Sequence, residues 1–204
     1  MSQITDSNYW EQRYQEKSDK WDIGQAGPPF INLLESSVLT LGKVAVIGCG
    51  RGHDALLFAK YGFDVTGFDF SPSAIADAKS LTDSMGLTAK FLRRDIFDLD
   101  REFLGAFDYV VEHTCFCAIA PSQREDYVKL VHSILKPQGE LIALFWAHNR
   151  IGGPPFGSNL EEIDKLFSPR FNTSVISPAI NSIESRQGEE YLARFQRLIR
   201  NDKK

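Results

Sequence analysis

Hydrophobic and polar positions follow two alternating periods along most of this 204-residue chain. Short apolar runs end in turn residues, and stretches with apolar side chains every three to four positions follow them. The runs read as buried strands and the stretches as amphipathic helices. Strands are predicted near 43–48, 64–69, 88–92, 107–112 and 139–146, with helices near 52–61, 71–84 and 122–135 between them. Ser71 before Pro72, and Pro121 before Ser122, supply start signals for the last two helices. Lys136-Pro137-Gln138-Gly139 is expected to close the third and turn into a strand from Glu140 to Trp146. Beyond residue 157 the pattern gives a short helix, then strand-like stretches near 172–177 and 190–199, the last open to a helical reading. Strand–helix alternation of this kind predicts an α/β fold: a Rossmann-like, doubly wound, mostly parallel seven-stranded sheet with right-handed crossovers. No repeat or linker divides the chain. One domain is expected over 1–204, with a helical lid in 1–40 and the core in 41–204.

The N-terminal segment stands outside this alternation. Helices are expected at 5–18 and, after Pro28-Pro29, at roughly 29–40. Tyr9, Trp10, Tyr14 and Trp21 crowd into the first of them and the loop that follows, and Trp10 and Tyr14 share a face at i and i+4. Two readings stay open. The aromatics pack on the sheet, or they form a lid over a cation attracted to their ring faces.

Composition narrows the function classes. An apolar share of 43% and a charged share of 25% are ordinary for a globular domain. A net charge of −4, with no basic block beyond Lys203-Lys204, argues against nucleic acid as a partner. The longest clear apolar run, Leu141 to Ala147, is far short of a membrane span. The first residues lack a signal-peptide pattern, and the three cysteines are an odd number, so a reducing cytoplasm is expected.

Candidate chemistry begins after the first strand, where Gly48, Gly50 and Gly52 precede a helix. Glycines at such a turn let a ligand lie against bare backbone. The next strand ends in Asp69, 21 positions beyond Gly48, where a ribose-binding acid belongs. An adenosine-containing ligand is therefore expected at the carboxyl edge of the sheet. The dinucleotide fingerprint wants a third glycine where His53 stands; the G-x-G-x-G spacing is instead similar to the first motif of S-adenosylmethionine methyltransferases. Asp54 reads as a helix cap, and Arg194, Arg197 and Arg200 as a solvated edge. His113, Cys115 and Cys117 alternate, so an extended backbone would put them on one face. A fourth metal ligand is not evident, and no metal is expected; the cysteines read as small apolar residues. His113 either takes a proton from a thiol or positions Glu112.

These residues support a family resemblance over Tyr9 to Leu198. Tyr9-Trp10-Glu11, Trp21-Asp22-Ile23-Gly24, Val46 to Ala55, Gly67 to Ser71, Phe116-Cys117-Ala118-Ile119, Leu135 to Leu141 and Gly152-Gly153-Pro154-Pro155 carry it. The chain resembles the thiopurine S-methyltransferase superfamily, in its thiol and halide methyltransferase branch. The resemblance implies an enzyme that takes S-adenosylmethionine as cofactor. It places Trp10 and Trp21 over the cofactor and Gly48 and Gly50 beneath its methionine part. Asp69, with Phe70 beside it, would meet the ribose, and Asp95 and Ile96 the adenine. Glu112 would lie beside the cofactor near the reacting centre, with His113 as its catalytic neighbour. Tyr14, Phe116, Phe156 and Trp146 would shape the acceptor pocket. Relatives often carry tryptophan at position 14 and tyrosine at positions 113 and 156, so the acceptor is the point of departure. The implied reaction is methyl transfer to a small soft nucleophile, foremost a thiol. Halides, thiopurines and metalloid oxyanions such as tellurite or selenite are alternatives, as is a binder without turnover. A nicotinamide dehydrogenase is opposed by the glycine spacing and the want of a Tyr-x-x-x-Lys pair. The expected partner is a small-molecule methyl acceptor, with neither nucleic acid nor membrane, and the chain is expected as a monomer or else a homodimer.

Overall fold

Apolar runs with β-branched residues form the strands of one seven-stranded sheet in a computed structural model of the protein, which describes residues 6–198. The strands are β1 (Lys43–Ile47), β2 (Asp64–Asp69), β3 (Lys90–Arg93), β4 (Phe107–His113), β5 (Leu135–Trp146), β6 (Phe171–Pro178) and β7 (Glu190–Arg197). Their order is β3-β2-β1-β4-β5-β7-β6. The first five are mutually parallel, and β7 runs antiparallel between β5 and β6. The sheet is thus mostly parallel, and the last stretch is a strand. Helices are α1 (Ser7–Gln15), α2 (Pro28–Glu35), α3 (His53–Lys60), α4 (Pro72–Met85), α5 (Asp100–Phe103), α6 (Arg124–Ile134) and α7 (Leu160–Phe167).

Strand periodicity divides the core. Val44 and Val46 of β1 pack with Phe30, Leu33, Ala55, Leu56 and Ile75 from α2, α3 and α4, whereas Ala45 and Ile47 face Tyr127, Val131, Ile163 and Phe167 from α6 and α7. A strand buried on both faces reads as a continuous apolar run, which is why these segments stood out.

Local signals set the element ends. Ser71 caps α4 by accepting from the Ala74 N–H at 3.1 Å, with Pro72 in the first turn. Pro121 begins a 3₁₀ turn, and α6 starts only at Arg124. α2 ends at Glu35, five residues before its expected end at 40. The expected turn at 136–139 is instead a bulge inside β5. Leu135 pairs with Phe107 and Glu140 with Tyr109, so extra β5 residues are accommodated between the two pairs. Gln138 takes φ of +64° there. Arg194 forms two 2.7 Å bonds to Glu140, and Arg197 donates to the Leu135 carbonyl, so neither is a merely solvated edge. Arg200, Lys203 and Lys204, like residues 1–5, lie outside the described residues.

Candidate active site

Strand order reverses at β1, whose neighbours are β2 and β4, and crevices at such switch points take ligands. The carboxyl ends of these strands open into a cavity of about 430 Å³. Gly48 lines it with φ of +60°, and a Cβ there would come within 3.0 Å of Cys115 Sγ. Only glycine suits that turn.

Asp69 ends β2 and lines the same cavity. Its carboxylate accepts from the Gly50 N–H at 3.0 Å and the Ser71 N–H at 2.9 Å, one on each oxygen. Each oxygen keeps a further acceptor site. Burial pushes this carboxyl up to about 6, against the pull of those backbone bonds. A diol donating to it would favour the charged form. Gly50 is not in the wall; its N–H holds Asp69, and a Cβ on it would meet Tyr14 Oη at 3.0 Å. Phe70, Asp95 and Ile96 continue the wall, with Asp95 accepting from the Phe97 N–H at 3.0 Å.

α1 and the loop after it form the roof. Tyr9, Trp10, Tyr14 and Trp21 all line the cavity. Trp21 meets Trp10 and Tyr14 edge-on at 5.2 and 5.6 Å, and its indole N–H donates to Tyr14 Oη at 3.4 Å. Packing and lining thus coincide in Tyr14, which is buried. Two fastenings hold this roof. Glu11 of α1 accepts from the hydroxyls of Ser71 and Ser73, both at 2.6 Å, and from the Ser73 N–H at 3.1 Å. Arg51, inside the glycine turn, pairs with Asp19 at 2.7 Å, with Asp22 at 2.9 Å and with Asp77 of α4. Neither fastening was visible in the sequence, because their partners lie tens of residues apart.

The far wall comes from β4, β5 and the 152–158 loop. His113, Thr114, Cys115, Cys117, Ile119, Trp146, Pro154 and Pro155 line it. Burial pushes the Cys115 and Cys117 thiols well up, so both remain neutral. Three expectations need correction. Glu112 is fully buried and has no place in the wall; Oε2 accepts from the Phe116 N–H at 2.7 Å and lies 3.5 Å from Tyr127 Oη. Its neighbour in the strand, His113, takes the cavity side, as alternation requires. Burial raises the Glu112 carboxyl to about 7, and Oε1 has no bonding partner among the described residues. Phe116 is a core residue, edge-on to Tyr127 and Phe145. Phe156 is half-buried outside the wall, its N–H donating to the Cys117 carbonyl at 2.7 Å, and Pro154 and Pro155 take the expected position. Fully buried Arg124 fixes that loop by donating to the Gly157 carbonyl at 3.0 Å, while pairing with Glu162.

His113 has no free ring nitrogen. Nδ1 lies 2.9 Å from Asp54 Oδ2, and Nε2 lies 3.1 Å from Arg186 Nη1 and 3.6 Å from Glu190 Oε1. Burial alone would lower this imidazole, but Asp54 and Glu190 outweigh it and raise it to about 9. Asp54 is accordingly no helix cap. Its other oxygen accepts from the Gly27 N–H at 2.7 Å.

The residues present fit S-adenosylmethionine. Asp69 offers acceptors to a ribose diol, Gly48 leaves bare backbone, and four aromatic rings face a space that suits a sulfonium cation. An S-adenosylmethionine-dependent methyltransferase is the class this fold and cavity define. Comparison with known proteins narrows it further. The family described as thiopurine S-methyltransferase (TPMT) matches residues 5–199, and the chain belongs to that family. Thiocyanate methyltransferase 1 of Arabidopsis thaliana is 33% identical over 196 residues, covering 93% of this chain and 84% of its own. The Arabidopsis protein named probable thiol methyltransferase 2 is 32% identical over 94% of this chain and 85% of its own. Among solved structures, 1,6-didemethyltoxoflavin-N1-methyltransferase of Burkholderia thailandensis, with bound S-adenosylhomocysteine, shares the fold. Its TM-score is 0.77 at 17% identity, over 95% of this chain and 87% of that one.

Proposed function

We propose that the chain methylates the sulfur of a small thiol, taken as its thiolate. The carrying observation is a division of charge around the cavity. Its acids, Asp69 and Asp95, lie at or just beyond the ends of β2 and β3, where the lining cation Arg94 is paired with Glu102, whereas β4 and the roof contribute His113, Arg13 and Lys20. The wall beyond β4 is otherwise chiefly apolar, with Cys117, Ala118, Ile119, Trp146, Pro154 and Pro155. Such a wall favours a soft anion over a neutral amine. Relatives named for thiocyanate, thiol and thiopurine substrates all point to sulfur.

S-adenosylmethionine, when bound, supplies a methyl group already activated by its sulfonium. The chain's own residues therefore have to orient and desolvate rather than activate. Asp69, Phe70 and Asp95 hold the nucleoside side. Trp10, Tyr14 and Trp21 exclude water from above. Arg13 and Lys20 of the roof lower the cost of bringing a thiolate to an apolar wall, and thiolate is the reactive form.

The test is a comparison of small thiols, hydrosulfide and iodide at equal concentration across pH 6–9, with products read by mass spectrometry. Thiols are expected to be preferred, their rate rising with the thiolate fraction while iodide transfer stays flat. A strong preference for iodide at every pH refutes the assignment.

A further inference from the structure

Four ionisable side chains from four separate elements, Arg186 and Glu190 buried and Asp54 and His113 half-buried, meet at the back of the far wall. Asp54 is in α3, His113 ends β4, Arg186 lies in the turn before β7, and Glu190 begins β7. Arg186 Nη1 donates to Glu190 Oε1 at 3.1 Å and approaches His113 Nε2 at 3.1 Å. Its guanidinium lies 4.8 Å from the centre of the Trp146 ring. Side-chain exposures of 4% for Arg186 and 2% for Glu190 show that this pair is shielded from water, whereas His113 at 11% reaches the cavity.

Among the described residues, two bonds run from this group to the backbone of the N-terminal segment. Arg186 Nη2 donates to the Trp21 carbonyl at 2.8 Å, and Asp54 Oδ1 accepts from the Gly27 N–H at 2.7 Å. Gly27 itself lies against the imidazole: a Cβ there would come within 3.2 Å of His113 Cε1. The imidazole bridges the two bonds, with Nδ1 on Asp54 and Nε2 between Arg186 and Glu190. Its nitrogens are spoken for in either protonation state. Neutral, Nδ1–H donates to Asp54 and Nε2 accepts from Arg186. Charged, Nε2–H faces Glu190 Oε1 at 3.6 Å. No lone pair is left for a proton from an acceptor.

We propose that His113 is a positioning residue: with Asp54, Arg186 and Glu190 it ties residues 21–27 down, and so holds Trp21 over the cofactor site, without serving as a general base. Breaking the bridge releases the lid and weakens the cofactor site, whatever the acceptor. The inference shares the cofactor and His113 with the thiol assignment. Product binding is measured without any acceptor, so failure of one leaves the other standing.

The experiment compares wild type with His113→Phe and His113→Gln. Calorimetry gives S-adenosylhomocysteine affinity, and initial rates give transfer to one thiol and to iodide. His113→Phe is expected to weaken S-adenosylhomocysteine about tenfold, the loss of a charge-assisted bond. It should slow both acceptors by the same factor. His113→Gln keeps a donor and an acceptor and is expected to restore most of the affinity. Should His113→Phe fail to fold, Asp54→Ala cuts the same bridge one bond away, and hydrogen exchange at the Gly27 amide reads the tether directly. That amide is expected to lose protection in Asp54→Ala. Unchanged product affinity with a loss confined to the thiol makes His113 a base and overturns the proposal. So does a Gly27 amide that stays protected when Asp54 is replaced.

Discussion

Glu11→Gln tests how the roof is fastened. The substitution keeps size and one acceptor but removes the charge and turns an NH₂ group toward the hydroxyls of Ser71 and Ser73. Burial alone would raise the Glu11 carboxyl; the hydroxyls of Ser71 and Ser73 and the Ser73 N–H instead hold it at about 2, against an ordinary 4.5. A displacement of that size corresponds to about 3 kcal/mol. Glu11 is half-buried, and solvent screening reduces this to about 1.5 kcal/mol. The value is lower folded than unfolded, so the contribution is complete above about pH 4.5 and disappears as pH falls toward 2. α1 has nine residues, too few to hold its shape without docking. The assay is Trp10 and Trp21 emission in a Trp146→Phe background, with S-adenosylhomocysteine titrated at pH 7, 5 and 4. At pH 7 the variant should show red-shifted emission and up to about tenfold weaker binding, the equivalent of 1.5 kcal/mol. The gap should narrow as pH falls below 4.5. Identical emission and affinity at pH 7, or a gap that does not depend on pH, refutes the reasoning.

Asp69→Ala removes both backbone-held acceptors from the nucleoside wall and should cost roughly 2–4 kcal/mol of cofactor affinity by calorimetry, with an unchanged value ruling out the assigned site. Arg124→Met leaves the Gly157 carbonyl without its buried donor and should lower stability to urea by about 2 kcal/mol. It should also reduce thiol kcat/KM while leaving S-adenosylhomocysteine affinity intact, and a fall in affinity alone would show that the 152–158 loop serves the cofactor instead.

Elements whose signal is local were legible in the sequence. β1 and β2 are apolar runs closed by Gly48 and Asp69, and α4 begins at its Ser-Pro signal. That Gly48, Asp69, Phe70, Asp95 and Ile96 share one cavity wall was legible too, because they stand at strand ends whose place in the sheet is fixed by topology. What escaped is long-range. Trp21 and Arg186 stand 165 positions apart, and no periodicity links them. Asp54 sits in the first turn of α3, where any acid looks like a cap; only the fold brings Gly27 and His113 to it. Phe116 and Phe156 were assigned to the pocket through the resemblance, and neither their type nor spacing distinguishes a pocket ring from a core ring. The bulge in β5 carries Pro137 and Gly139, which in a sequence read as an ordinary turn.

Residues 69 to 73 serve two masters. Asp69 and Phe70 face the nucleoside side of the cavity, while Ser71 and Ser73 grip Glu11 of the roof, and the Ser71 N–H joins the halves by donating to Asp69. Anything that steadies this five-residue turn from one side steadies it for the other. If Asp69 and Phe70 receive the nucleoside as proposed, its recognition and roof closure are thermodynamically reciprocal, each strengthening the other by the same factor. A fragment holding only the adenosine part would then steady the roof without touching it, and loosening the roof would weaken that fragment in equal measure.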